Sequence, residues 1–290
     1  MKFPSDWKDF EVVATGGSEK LERWGSVFLL RPDPQAIWRA GFDFLKFDKL
    51  HAKYTRSASG GGSWEFIKKM PDEWVIGYKN LKFLISPTNF KHTGLFPEQA
   101  VNWDLMAKSI CKATQSKSAE AVTVLNLFGY TGGATIACAT AGAVVTHVDA
   151  SKGMVEICKR NCKLNKLPAT SVRFLVDDCV KLVEREIRRG KKYDAIVMDP
   201  PTFGRGANGE VWKIEESLDY LVGKCRELLS DKPLFFLLNS YTAGLQPTVM
   251  KNILARNLGT CKNIDSYEIG LPTGEGIVLP AGCSAIATWR

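Results

Sequence analysis

The sequence predicts a doubly wound α/β fold with a mostly parallel seven-stranded sheet, joined to a small β-rich N-terminal domain. From about residue 103 onward, continuous apolar runs alternate with charged, helix-like segments. Before residue 90, short stretches such as "SVFLLRPDP" are separated by "TGGSEK" and "SASGGGS". Continuous apolar strands that alternate with helices indicate a parallel sheet covered on both faces. Short strands between Gly- and Ser-rich turns indicate hairpins.

The predicted elements of the α/β part follow one another regularly. The strands are 121–128, 143–150, 171–178, 193–199 and 233–240, followed by two strand-like segments at the C-terminal end. The helices are 103–116, 132–141, 152–164, 179–190, 214–229 and 246–257. We therefore assign residues 1–84 to the β-rich domain and residues 85–290 to the α/β domain.

Composition narrows the class of protein. The 290 residues carry a net charge of +8, which is compatible with a polyanionic partner such as nucleic acid. No apolar run reaches the roughly 18 residues of a membrane helix, and "MKFPSDWKDF" has no signal-peptide core. The eight cysteines are scattered and form no CxxC. We expect a soluble cytoplasmic protein with reduced thiols and no metal site.

A glycine-rich turn, "NLFGYTGGAT" (126–135), follows the first strand of the α/β domain. In such folds ligands bind beyond the carboxyl ends of the strands, where this strand turns into its helix. Gly129 and Gly132 permit a tight backbone passage. Tyr130 stands where a dinucleotide fingerprint would place glycine, and the Lys-Ser/Thr pair of a P-loop is missing.

Acidic residues end the next two strands. Asp149 follows Gly132 by 17 residues, a place from which a carboxylate accepts hydrogen bonds from ribose hydroxyls. Asp177 and Asp178 end the third strand, where a carboxylate can accept from an adenine amino group. The combination predicts an adenosine-containing cofactor and leaves a nicotinamide cofactor open. The alternative role for these acids is to cap the following helices.

The fourth strand ends in "DPPTF" (199–203). Proline fixes its own φ and restrains the residue before it, so Asp199 and Pro200 are held rigidly. An oxygen fixed there can accept from an N–H of a planar substrate. Phe203 can stack on the ring, a contact worth about 1–3 kcal/mol for a nucleic-acid base. The stretch therefore favours a clamp for a flat, nitrogen-bearing substrate.

In this order, "LNLFGYTGG", "VDAS" and "DPPTFGRG" resemble class I S-adenosylmethionine-dependent methyltransferases. More narrowly, they are similar to the bacterial enzymes that methylate 23S ribosomal RNA at cytosine C5 or guanine N7. "HTGLFPEQAVNWD" (92–104) is similar to the "TGxFxDQ" stretch of that group, whereas residues 1–84 do not resemble its PUA-type RNA-binding domain. The resemblance, over about residues 85–290, implies a Rossmann-like fold, S-adenosylmethionine as cofactor and ribosomal RNA as partner.

The site residues are assigned by position in these segments. The cofactor contacts are Phe96, Gln99, Asn126, Phe128, Gly129, Tyr130, Gly132, Asp149, Ala150, Ser151, Asp177, Asp178, Cys179 and Asp199. The catalytic residues are Asp199, Pro200 and Phe203. The substrate contacts are Arg205, within the loop "GRGANGE" (204–210), Asn239 and Tyr241.

The missing cysteine decides between carbon and nitrogen methylation. Methylation of cytosine C5 needs a cysteine nucleophile, which the C5 enzymes that this sequence resembles carry at the end of the fourth or fifth strand. Here those places read "DPPTF" and "LLNSYTAG" (237–244) and contain no cysteine, and Cys179 and Cys225 fall on predicted helices. A nitrogen needs only its lone pair held in line with the methyl–sulfonium bond. We therefore expect N-methylation of a base, with guanine favoured.

Two other functions stay open at this stage. A proline–aromatic clamp also accepts a protein amide or a small amine, and an RNA-binding protein can keep the fold without catalysis. The basic helices "SKGMVEICKRNCKLNK" and "EREIRRGKK" either contact phosphates or form solvated outer faces. The five tryptophans before residue 84 either stack on unpaired bases or pack in the core of the β domain.

Overall fold

A computed structural model describes residues 1–57, 61–88, 91–116, 121–205, 211–259 and 261–289. The chain forms two compact units. The β unit consists of Lys2–Ala100 and Gly270–Ala281, and the α/β unit of Val101–Ile269 and Gly282–Arg290, with Met1. The β unit thus extends past the predicted domain boundary at residue 84 and takes in a C-terminal segment.

The β unit is built from short strands. They are β1 (Phe10–Gly16), β2 (Glu19–Trp24), β3 (Val27–Pro32), β4 (Ala52–Arg56), β5 (Gly62–Phe66), β6 (Trp74–Tyr78) and β7 (Leu81–Ile85). Among the described residues, β1 to β5 form one sheet in chain order, and β6 and β7 form a separate hairpin. The predicted β-rich N-terminal region is confirmed.

The tryptophans of the β unit act as packing residues. None of the five is exposed, and each donates its indole N–H inside the unit. The acceptors are the Pro97 carbonyl for Trp7, Glu22 for Trp24, Thr15 for Trp38, the Thr88 carbonyl for Trp64 and the Trp24 carbonyl for Trp74. Trp24 is fully buried and the other four are partly buried, and satisfied indole N–H groups of this kind are typical of packing residues.

The α/β unit alternates strands and helices. Its strands are β8 (Thr123–Leu127), β9 (Val144–Asp149), β10 (Val172–Val176), β11 (Ala195–Met198), β12 (Phe203–Arg205), β13 (Val211–Lys213), β14 (Phe235–Ser240), β15 (Asn263–Pro272) and β16 (Val278–Thr288). Its helices are α1 (Ala100–Ser116), α2 (Gly133–Thr140), α3 (Lys152–Leu164), α4 (Cys179–Arg188), α5 (Ile214–Arg226) and α6 (Pro247–Leu258). Each predicted helix and strand of this region is present, within a few residues at its ends.

The large sheet has the strand order β10-β9-β8-β11-β14-β16-β15 over the described part of the chain. β10, β9, β8, β11 and β14 pair in parallel, and β16 pairs antiparallel with β14. The predicted mostly parallel, seven-stranded, doubly wound sheet is therefore confirmed. The order reverses between β8 and β11, so their carboxyl ends flank the crevice in which such folds bind ligands.

Apolar side chains of the central strands and of α4, α5 and α6 form the core of this unit. Ile196, Phe236 and Leu221 are fully buried members of it. This packing fixes the strands whose ends carry the candidate site. No helix in the described part of the chain combines the length and apolar character that a membrane span requires.

Candidate active site

The glycine-rich turn has an unusual backbone. Phe128, Tyr130 and Gly132 have φ values of 55°, 51° and 92°, and Gly132 is the N-cap of α2. A left-handed conformation costs a non-glycine residue about 1–2 kcal/mol, so surrounding contacts must hold Phe128 and Tyr130 in place. Hydrogen bonds within the protein help to do so: the Gly129 N–H donates to the Val148 carbonyl at 2.8 Å, and the Gly132 N–H donates to the Gly129 carbonyl at 3.0 Å.

Asp149, at the end of β9, ties this turn to the sheet. Its Oδ2 accepts from the Tyr130 N–H at 2.8 Å, and its Oδ1 accepts from the Ser151 N–H at 2.8 Å. Burial raises the pKa of Asp149, and the two N–H donors oppose that rise. Each carboxylate oxygen carries two lone pairs, so both can still accept from a ribose hydroxyl.

Two glycines of the turn lie directly on buried side chains. A Cβ on Gly129 would lie 2.4 Å from Cε1 of His147, and a Cβ on Gly132 would lie 2.2 Å from Sγ of Cys158. No larger residue fits at either position without displacing the side chain below. The sequence identified the glycines, but not the two residues on which they rest.

A buried polar network supports the turn from below. Asn126 Nδ2 donates to Thr135 Oγ1 at 2.8 Å, and that oxygen lies 2.8 Å from His147 Nδ1. Burial lowers the pKa of His147 to about 4, so the imidazole is neutral at pH 7. The amide of Asn126, which the sequence assigns to the cofactor, is therefore used to support the turn.

The acids after β10 are engaged with α4. Asp178 is the N-cap of α4, where its Oδ1 accepts from the Lys181 N–H at 2.9 Å, and Asp177 pairs with Arg185. Helix capping, the alternative considered for these residues, is thus realised at Asp178. Its contact with adenine stays a prediction.

The remaining cofactor assignments lie around the same edge. Cys179 is buried and its Sγ accepts from the Phe128 N–H at 3.4 Å. Ala150 is exposed, and Ser151 is the N-cap of α3. Phe96 and Gln99 belong to the β unit, so their predicted position over the cofactor stays a prediction.

The "DPPTF" segment is fixed from two directions. Trp212 of β13 donates its indole N–H to the Pro201 carbonyl at 2.7 Å, and Thr202 Oγ1 lies 2.7 Å from Thr242 Oγ1. Pro200 is buried, whereas Phe203 is 52% exposed. The segment is thus held stiffly while its aromatic ring faces solvent, as a stacking clamp requires. The sequence analysis did not identify Trp212 as part of the site, because this residue follows a stretch that was expected to be a loop.

Asp199 is oriented by a buried amide. Asn239 Nδ2 donates to Asp199 Oδ1 at 2.8 Å, and Asn239 is fully buried. Tyr241 is 36% exposed and lies beside Gly282, where a Cβ would be 3.0 Å from its ring. Arg205 ends β12, but its side chain and residues 206–210 lie outside the described residues.

Comparisons with known proteins agree with this geometry. The family model for S-adenosylmethionine-dependent methyltransferases matches residues 50–231. The ribosomal RNA large subunit methyltransferase K of Neisseria meningitidis is 26% identical over 262 residues, which cover 86% of this chain and 71% of that protein. The ribosomal RNA large subunit methyltransferase I of Tolumonas auensis is 34% identical over 158 residues. That match covers 54% of this chain but only 35% of the relative.

Solved structures extend the likeness to both units. The crystal structure of the SAM-dependent methyltransferase from Agrobacterium tumefaciens matches with a TM-score of 0.91 and 33% identity, over 99% of this chain and 92% of that one. A Streptococcus mutans structure matches with a TM-score of 0.74 at 18% identity, over 98% and 76% of the two chains, which supports the fold alone.

The residues present also fit the cofactor. The Asp149 carboxylate can accept from ribose, and Gly129 and Gly132 leave no room for side chains beside the turn. Since the family model spans more than half of the chain and a 33%-identical relative matches nearly all of it, the chain belongs to the S-adenosylmethionine-dependent methyltransferases.

Proposed function

We propose that this enzyme transfers the methyl group of S-adenosylmethionine to a nitrogen of a base in ribosomal RNA, with guanine favoured. The observation that carries the proposal is the acceptor side of the crevice. There Asp199 is held by Asn239 at 2.8 Å and the ring of Phe203 is 52% exposed. A fixed carboxylate beside an exposed aromatic ring suits a flat base with an N–H group.

The thiols near this edge support nitrogen rather than carbon as the acceptor. Cys283 is the register partner of Ser240, which brings it to the carboxyl end of β14. Its Sγ donates to the Leu245 carbonyl at 2.8 Å, and burial raises the pKa of this thiol to about 11. Burial also raises the pKa of the Cys179 thiol well above its usual range. A C5 mechanism needs an accessible thiolate, and neither thiol provides one.

Ribosomal RNA as the substrate rests on relatives and on the aromatic surface. The two relatives described above are named for methylation of large-subunit ribosomal RNA. Phe203 and Tyr241 are exposed on segments joined by the Thr202–Thr242 hydrogen bond. Stacking on exposed aromatic rings is how proteins commonly bind unpaired bases of RNA. The net charge of +8 favours a polyanion.

The residues of the chain act mainly by position. The sulfonium of the cofactor supplies the electrophilic methyl group. Asp199 accepts an N–H of the base, and Phe203 stacks on its face. Pro200 and Pro201 keep the carboxylate from moving away. Holding the lone pair in line with the methyl group converts a bimolecular reaction into an effectively intramolecular one.

The test follows the methyl group. The enzyme and labelled S-adenosylmethionine are incubated with three fractions in separate reactions. The fractions are large-subunit RNA, protein and metabolites, each from cells that lack the enzyme. We expect label in the RNA and, after digestion, in a methylated guanine nucleoside identified by mass spectrometry. The Asp149→Ala variant, which loses the predicted ribose contact, controls for other methyltransferases. Label in 5-methylcytosine contradicts nitrogen as the acceptor. Label only in protein or in a small amine contradicts RNA as the substrate.

A further inference from the structure

A line of hydrogen bonds runs through the interior of the α/β unit to Asp199. Tyr267 donates its hydroxyl to Asn102 Oδ1 at 2.7 Å, and Asn102 Nδ2 donates to Ser284 Oγ at 2.9 Å. Ser284 then donates to Asn239 Oδ1 at 2.7 Å, and Asn239 Nδ2 donates to Asp199 Oδ1 at 2.8 Å. We call Tyr267, Asn102, Ser284 and Asn239 the polar relay.

The polar relay lies where apolar side chains would be expected. Its members are 5%, 1%, 0% and 0% exposed, in that order. They come from β15, α1, β16 and β14, and they converge on the end of β11. Buried polar groups are costly unless every one is satisfied. A set of four that connects five elements therefore calls for a role beyond packing.

The direction of the hydrogen bonds gives that role. Every member donates toward Asp199, so the dipoles of the polar relay point their positive ends at the carboxylate. Rotating the Asn239 amide by half a turn would place Oδ1 against the carboxylate and Nδ2 against the Ser284 hydroxyl. Burial raises the pKa of Tyr267, which keeps its hydroxyl protonated as the first donor. Aligned hydrogen bonds polarise one another in a low-dielectric interior.

We propose that the polar relay consists of positioning residues that hold the Asp199 carboxylate in one orientation toward the methyl acceptor. The inference rests on the proposed role of Asp199 in binding the acceptor. It changes the predicted role of Asn239, which contacts Asp199 rather than the substrate. It also gives functions to Asn102, Ser284 and Tyr267, which no sequence motif marks.

Ser284→Ala interrupts the polar relay with the smallest change in volume. We expect kcat with the RNA acceptor to fall about 10- to 100-fold, while the KM for S-adenosylmethionine and the Kd for S-adenosylhomocysteine stay within twofold. Ser284→Thr keeps the hydroxyl and should recover at least tenfold of the lost kcat. Asp199→Asn removes the carboxylate charge itself, and its kcat is the reference with which the kcat of the other variants is compared.

Tyr267→Phe tests the far end, and it is the decisive variant if Ser284→Ala does not fold. It removes the hydroxyl of Tyr267, which three hydrogen bonds connect to Asn239. Because this change is remote from Asp199, we expect kcat to fall only about three- to fivefold. The matched control is Tyr193→Phe. Tyr193 is also 5% exposed and donates to Glu186 at 2.9 Å, before β11 begins. That variant should lower the melting temperature but leave kcat unchanged.

The outcomes separate the relay from the proposed function. If Asp199→Asn loses kcat but Ser284→Ala and Tyr267→Phe keep it, the relay is structural only and the inference fails alone. If the variants weaken S-adenosylhomocysteine binding as much as kcat, they disturb the fold, and the inference fails too. If Asp199→Asn keeps full kcat, the role of Asp199 and the relay both fail. If the wild-type enzyme methylates no RNA base, the proposed function fails, and the same variants are measured with the acceptor that takes the label.

Discussion

The glycine-rich turn and the "DPPTF" segment follow neighbouring strands, β8 and β11, and both are held by hydrogen bonds, but the turn also lacks space for side chains. The turn rests on close contacts: Gly129 lies on His147, and Gly132 lies on Cys158. The "DPPTF" segment is held by side-chain hydrogen bonds from Trp212, Thr242 and Asn239. Both sides of the crevice are thus tied by polar contacts, and the cofactor side is in addition closed to side chains at two positions.

This difference predicts different responses to mutation. A Cβ that would lie less than 3 Å from a buried neighbour cannot be accommodated by a small adjustment, because packed interiors leave no free volume. A single hydrogen bond contributes about 0.5–1.5 kcal/mol net, and its loss leaves the rest of the segment in place. Changes in the glycine-rich turn should therefore abolish cofactor binding, and changes around "DPPTF" should reduce acceptor use by degrees.

Gly132→Ala should have the largest effect. Alanine at a φ of 92° costs about 1–2 kcal/mol, and its Cβ would lie 2.2 Å from Cys158 Sγ. We expect the affinity for S-adenosylhomocysteine, measured by calorimetry, to fall more than 100-fold. Gly153→Ala in α3 is the control, since its Cβ would meet Ser151 Oγ at an ordinary 3.8 Å. A Kd within threefold of wild type for Gly132→Ala would refute the steric account.

His147 should make the support under the turn sensitive to acid. Burial lowers its pKa from an ordinary 6.5 to about 4, so the unfolded chain takes up a proton before the folded one. The stability it contributes is complete above pH 6.5 and is lost as the pH falls toward 4. The loss amounts to up to about 3 kcal/mol.

The measurement is denaturant unfolding between pH 7.5 and pH 4 for wild type and for His147→Gln, which cannot titrate. The free energy of unfolding of wild type should fall more steeply than that of the variant across this range. Parallel curves for the two proteins would show that the imidazole does not lose its proton on folding.

Asp149→Asn should weaken cofactor binding less than Gly132→Ala does. The amide keeps one oxygen for a backbone donor but turns an NH₂ group toward either the Tyr130 or the Ser151 N–H. Loss of a hydrogen bond to a charged group costs about 1.5–3 kcal/mol, or roughly 10- to 100-fold in affinity. Calorimetry with S-adenosylhomocysteine measures this. An affinity unchanged by the substitution would mean that the carboxylate contacts neither the turn nor the ribose in the complex.

The cofactor side could be predicted from the sequence because its signals are local. Apolar runs gave the parallel strands, and Gly129, Gly132 and Asp149 each lie at a strand end that a few adjacent residues define. The hairpin of β12 and β13 was not predicted, because "GRGANGE" was taken as loop. What a residue contacts below the sheet, such as Cys158 under Gly132, has no local signal at all.

The acceptor side depends on register, which a single sequence does not reveal. Asn102 on helix α1 and Ser284 on strand β16 are 182 residues apart and become neighbours only in the folded protein. Asn239 pairs with Ser284, and Ser240 pairs with Cys283. Because neighbouring strand residues face opposite sides, a shift of one residue would turn the thiol of Cys283 toward Asn239. The register between β14 and β16 therefore decides whether a hydroxyl or a thiol lies beside Asn239, which contacts Asp199.

Trp212→Phe should give the smallest effect and the sharpest test of the comparison. The substitution removes the N–H that donates to the Pro201 carbonyl at 2.7 Å, while an aromatic ring still packs near Phe128, 5.1 Å away in the native protein. The net loss of about 0.5–1.5 kcal/mol should raise the KM for the RNA acceptor about 2- to 10-fold, with the KM for S-adenosylmethionine unchanged.

Trp289→Phe is the matched control, since Trp289 packs on the same core beside the amino end of β14. If Trp212→Phe raised both KM values equally, its contact with Phe128 would join the two sides into one unit. The cofactor side and the acceptor side of the crevice could then no longer be treated as separate.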